Sequence, residues 1–143
     1  MAVHEVLNEL FGGEMMSEEI KFRAWDRRRK KMHMVGAIVW DNGKIVEVDA
    51  DNGDLIKRYE LMQYTGLTDK NGTPIYEGDL VRCIGSSGEN ETGVVAWDES
   101  DLAWYIENPT GMSIALCFYQ SCIRSIEVIG NIHNNPDLLG VGV

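Results

Sequence analysis

The chain has 143 residues, 44% hydrophobic and 25% charged, with a formal net charge of −10; one domain is expected, burying roughly 68–70% of its unfolded surface. No apolar run approaches the roughly 18 residues of a membrane span. Residues 71–143 carry only Arg82 and Arg124 against ten acidic side chains, so that half should repel a phosphate backbone and tolerate a cationic protein partner.

The opening segment AVHEVLNELFGG places Val3, Val6, Leu7, Leu10 and Phe11 on one stripe of a short amphipathic helix closed by a glycine cap. A helix this short persists only if the stripe docks on something, such as another subunit. The run GGEMMSEE can be encoded by a purine-rich ribosome-binding sequence ahead of Met16. Residues 1–15 therefore read as an extension from an early start, with MSEEIKFRAWD as the native beginning.

Beyond Met16 the pattern is one of strands. IKFRAW alternates Ile20, Phe22 and Ala24 against Lys21, Arg23 and Trp25, and DRRRKK turns the chain into MHMVGAIVW. A hairpin follows at Asn42-Gly43, a pair that accepts the positive φ of a tight type I′ turn. A looser turn, DADNGD, leads into LIKRYELMQY. Asn71-Gly72 marks another turn, and Pro74 is confined to an edge or to a strand's first residue.

Five short strands complete the chain, predicted at Leu80–Ile84, Thr92–Trp97, Leu102–Glu107, Met112–Tyr119 and Ser125–Ile129. In the fourth, Met112, Ile114, Leu116 and Phe118 share a face. LAWYI is apolar on both faces, which a domain this small has too little protein to cover, so one side is expected to meet a partner subunit. Asn135 is placed to cap, and Pro136 to start, a final helical turn. The spacing describes a mainly β chain: a small closed or half-closed SH3-type barrel over residues 61–143, an N-terminal β-hairpin region over 16–60, and helical turns at the ends.

Chemistry-bearing patterns are few. The basic run Arg27, Arg28, Arg29, Lys30, Lys31, with Lys21 and Arg23 on the same strand face as Trp25, makes a strip that could grip nucleic acid. DADNGDLIKRYE places Asp49, Asp51 and Glu60 at calcium-loop positions. It puts Asp54 where that loop needs glycine and Gly53 where it needs an oxygen ligand, so a solvated acidic turn is the better reading. His4, His33 and His133 lie far apart with no ligand spacing, and Cys83, Cys117 and Cys122 read as small packing residues of a reducing compartment. No nucleophile motif or phosphate loop stands in the chain. No cofactor and no metal are expected.

The blocks IKFRAWD with KKM, then ELMQYTGLTDKNGTPIYEGDLV, then GVVAWDE, then IEVIGNIHNNPDLL occur in an order that closely resembles the YopX family of phage and prophage proteins. The resemblance runs from about Ile20 to Leu139; residues 1–15 and the terminal GVGV depart from it. It implies an SH3-type barrel assembling into a symmetric oligomer in the cytoplasm of a bacterial host, and it brings no catalytic residue. Its motif residues Gly66, Asp69, Gly72, Gly78, Asp79, Gly130, Asn131, Asn135 and Pro136 are structural. Gly66 and Gly72 are expected where a Cβ would clash, and Asp69 where it bonds its own turn.

The favoured expectation is a non-catalytic, homo-oligomeric interaction module that meets itself and a host or phage protein. The alternative is a nucleic-acid-associated barrel using the strip at 21–31. The third is a small enzyme of unknown class.

Overall fold

The computed structural model describes residues 2–11, 19–119 and 121–140. Helix α1 (Val3–Phe11) forms as its periodicity demands, and its stripe is left open, with Val3 and Leu10 exposed. The expected glycine cap and the proposed start at Met16 lie outside the described residues.

The remainder is mainly β, arranged as two antiparallel sheets of five strands among the described residues. The first contains β1 (Phe22–Asp26), β2 (Lys31–Asp41), β3 (Lys44–Ala50), β4 (Tyr59–Thr68) and β5 (Pro74–Tyr76), in the order β3-β2-β1-β4-β5. Asn42 and Gly43 turn the β2–β3 hairpin at φ 50 and 77, as a type I′ turn requires. Pro74 opens the edge strand β5, where its missing N–H costs no central ladder bond. Ala24, Val48, Ala50 and Ile56 form this sheet's small core.

The chain passes to the second sheet at 77–78. There β6 (Asp79–Gly85), β7 (Asn90–Asp98), β8 (Ala103–Glu107), β9 (Ser113–Ala115) and β10 (Ile123–Asn131) stand in the order β10-β6-β7-β8-β9. Val81, Cys83, Val95, Ile106, Leu116, Ile123 and Ile126 from this sheet and its connections pack with Ile75 into a larger core.

Two expectations need correction. The strand predicted over Met112–Tyr119 ends at Ala115 and gives way to a 3₁₀ turn, Leu116–Phe118. The register sets Ala115 opposite Tyr105, so a strand continued to Tyr119 would outrun β8, which starts at Ala103. The turn begins the crossing from one edge of the sheet to the other; Leu116 is buried and Phe118 is exposed. Nor does a hydrogen-bonded barrel close. Among the described residues β9 and β10 remain the edges of an open sheet, with a parallel bridge between Tyr119 and Ile123 where β10 begins.

Candidate functional site

The segment LMQYTGLTDKNGTPIYEGDLV runs from β4 into β6 and supplies most of the joint between the sheets. Arg23 points from β1 toward β6. Its Nη2 lies 2.7 Å from Asp79 Oδ1 and donates to the Glu77 carbonyl at 3.2 Å, while the guanidinium sits 4.8 Å from the Tyr76 ring centre. Asp79 also accepts the Tyr76 N–H at 2.8 Å. Burial pushes the Asp79 carboxyl above the usual carboxylate range, against the opposing pull of Arg23.

Asp69 is the second tie. Its Oδ1 accepts the N–H groups of Asn71 and Thr73 at 2.8 and 2.9 Å, as expected for its own turn, and its Oδ2 reaches Val128 N in β10 at 2.9 Å. Burial alone would raise its pKa; the N–H donors of Val128, Thr73 and Asn71 outweigh burial and hold it below the ordinary value. Lys70 adds an ion pair to Glu127 at 2.8 Å and a backbone bond to Ile126 at 3.0 Å. Gly78, at φ 83, donates to Val95 and accepts from Ile132.

The glycines of the motif act differently from the expectation. A Cβ on Gly66 or Gly72 would meet nothing within 4 Å; positive φ, 90 and 81, selects glycine there. At Gly130 the clash is real, because a Cβ would run into the Asn135 side chain. Asn135 does not cap the last turn. Its Oδ1 accepts Asn131 N at 3.3 Å, Asn131 in turn accepts His133 N and Asn134 N, and Pro136 starts the 3₁₀ turn Pro136–Leu139 as foreseen.

The basic strip at 21–31 is not one surface. Lys21 pairs with Glu19 at 2.9 Å and lies 4.5 Å over Tyr64, while Arg23 is committed to Asp79 with its side chain only 11% exposed. Trp25 stacks on His133 with ring centres 4.9 Å apart, and His133 meets Glu60 at 3.0 Å. Burial lowers the His133 pKa in spite of Glu60. Arg27, Arg28, Arg29, Lys30 and Lys31 form a separate exposed turn, held by Asp26, whose Oδ1 accepts Arg28 N and Arg29 N at 2.9 and 3.1 Å. Sequence spacing gives no sign of the Arg23–Asp79, Asp69–Val128 or Trp25–His133 pairings, since each joins segments far apart in the chain.

Two hairpin tips carry apolar side chains into solvent. Val39, Trp40 and Val46 are exposed on the β2–β3 arm. On the β7–β8 hairpin, Trp97 and Trp104 face each other across the ladder and meet edge to face at 5.1 Å. Trp97 shares a strand face with buried Val95 but is 44% exposed, and Leu102, at φ 52, is 73% exposed. The core face of the second sheet thus runs beyond its own core.

Comparison with known proteins decides the lineage. A family model described as YopX protein matches residues 21–140, a span that includes both sheets. The chain belongs to the YopX family. Among solved structures, protein EF1440 from Enterococcus faecalis is similar at 27% identity and a TM-score of 0.61, with 86% of this chain and 99% of that one covered. The protein yopX from Bacillus subtilis is similar in fold at 22% identity and a TM-score of 0.55, covering 83% and 97%. No curated protein matches the chain significantly. In this YopX-family chain, helix α1 precedes the matched span.

Proposed function

We propose that this YopX-family chain is a non-catalytic phage or prophage accessory protein that works as a homo-oligomeric interaction module in the cytoplasm of its bacterial host. The observation that carries the reading is the uncovered end of the second sheet, where Trp97 and Leu102 continue a core face into solvent. Tryptophan is enriched in interface hot spots, and burying it together with Leu102 against a second copy would remove their apolar surface from water. The joint supports a structural role for its polar groups, because Arg23 is engaged by Asp79 and Asp69 by three backbone N–H groups.

An SH3-type description of the second sheet belongs to the same proposal. Its support is the strand order β10-β6-β7-β8-β9 with a 3₁₀ turn between the last two strands in sequence, which brings the final strand back beside the first.

Light scattering on the purified chain at micromolar concentration tests the assembly. A multiple of the 16.1 kDa chain mass is expected. The double variant Trp97→Ser, Leu102→Asp should return it to monomer with its far-UV circular dichroism unchanged. A monomeric unmutated chain would overturn the proposal.

A further inference from the structure

The basic turn and a second basic segment, distant in sequence, form one pole of the molecule. The Arg27 N–H donates to the Arg58 carbonyl at 2.9 Å, which extends the β1–β4 pairing by one step and seats Arg58 beside the start of the basic turn. Seven of the chain's 13 basic residues meet there: Arg27, Arg28, Arg29, Lys30, Lys31, Lys57 and Arg58. Arg27 pairs with Glu60 at 2.7 Å and Arg29 with Asp26 at 3.2 Å. The other five side chains are exposed and have no anionic partner among the described residues. Asp26, itself buried, fixes the turn by accepting two of its backbone N–H groups. Between the two segments lies a cleft of about 290 Å³ lined by Asp26, Arg28, Arg29, Leu55 and Lys57.

We infer that this pole binds the phosphodiester backbone of nucleic acid, with Arg28 and Lys57 gripping one phosphate in the cleft and Lys30, Lys31 and Arg58 flanking it. In an otherwise acidic chain, five cations without an ion-pair partner among the described residues, two of them lining one cleft, carry an electrostatic cost that an anionic ligand relieves. The arginine fork matches phosphate oxygens in a way an ammonium does not, and Lys57 supplies the point charge opposite. Among the described residues no aromatic side chain lines the cleft, so bases have no stacking platform there and the contact is independent of sequence. Lys21, Arg23 and Trp25 take no part, being occupied at the joint.

The test is the anisotropy of a short labelled DNA duplex titrated with the full chain at several salt concentrations. Four phosphates, one shared by Arg28 and Lys57 and one each for Lys30, Lys31 and Arg58, give a log–log salt slope of about −3.6, an affinity loss of about 150-fold between about 50 and 200 mM salt. The double variant Arg28→Gln, Lys57→Gln should weaken binding and make that slope shallower by about 1. Lys44→Glu, at the far tip of the β2–β3 arm, should leave affinity and slope unchanged. Circular dichroism of each variant verifies its fold. Absence of binding at the lowest salt, a double variant that binds as well as the original, or equal weakening by Lys44→Glu would each overturn the inference. So would competition by polyglutamate as strong as that by unlabelled duplex, which would assign the pole to an acidic protein surface.

Discussion

Ala24, Val48, Ala50 and Ile56 fill the core of the first sheet, whereas the second packs Val81, Val95, Ile106, Leu116, Ile123 and Ile126 around Cys83 and borrows Ile75 from β5. The first sheet also sends an eleven-residue strand, β2, out toward an exposed tip. Two small alanines in a core of four bury little apolar area, and hydrophobic stabilisation scales with that area. The difference teaches that a larger apolar core, completed by Ile75 of the first sheet, holds the second, while the first adds to its smaller core the polar ties of Arg23, Asp69 and Lys70.

The sharpest way to break this contrast is to cut the central tie. Asp79→Ala leaves the Arg23 guanidinium buried without its counter-charge and should cost about 3–5 kcal/mol in a denaturant titration. A loss no larger than that of a surface substitution would show that the first sheet stands alone. Ile106→Ala probes the other side of the comparison: deleting a fully buried side chain from the second core is expected to cost about 2–5 kcal/mol, read from the same titration.

Asp69→Asn should cost about 1–3 kcal/mol, because the amide replaces one carboxylate oxygen with a donor facing backbone N–H groups. It also carries a pH signature. The native Asp69 pKa lies below the unfolded value of about 3.9, so its contribution is fully present above that value and is lost as pH falls through the native pKa. Asp26 is lowered in the same direction and Asp79 is raised, so the variant should flatten, not abolish, the acid limb of the stability curve. Thermal midpoints measured from neutral pH downward check this. The smallest effect belongs to Gly66→Ala, where left-handed backbone with open space around the Cβ predicts a cost of about 1–2 kcal/mol and no rearrangement. A far larger loss would point to a steric role that the geometry does not contain.

Local chemistry was legible in the sequence wherever one short segment settles its own shape. The Asn42-Gly43 turn, Pro74 at the head of β5, the self-bonding turn of Asp69 and four of the five strands of the second sheet follow from residues within a few positions of one another. Alternation along β1 also set Arg23 and Trp25 apart from Ala24 correctly. What it could not supply was the identity of the cover. A strand pattern distinguishes two faces but does not say that one of them meets Asp79 and His133, so Arg23 read as a free cation. The end of β9 was hidden for a related reason, since the length of a strand depends on how far its partner extends. The basic pole was half visible, as Arg27 to Lys31; Lys57 and Arg58 join it only through a fold contact.

The bonds at Gly78 have a mechanical meaning. This residue gives its N–H to Val95 and takes the N–H of Ile132, while Asp69 and Lys70 seize β10 from the other direction. Held from both sides in this way, Gly78 keeps no free backbone group about which the entry to β6 could turn, so the chain is fixed where it passes from the first sheet into the second.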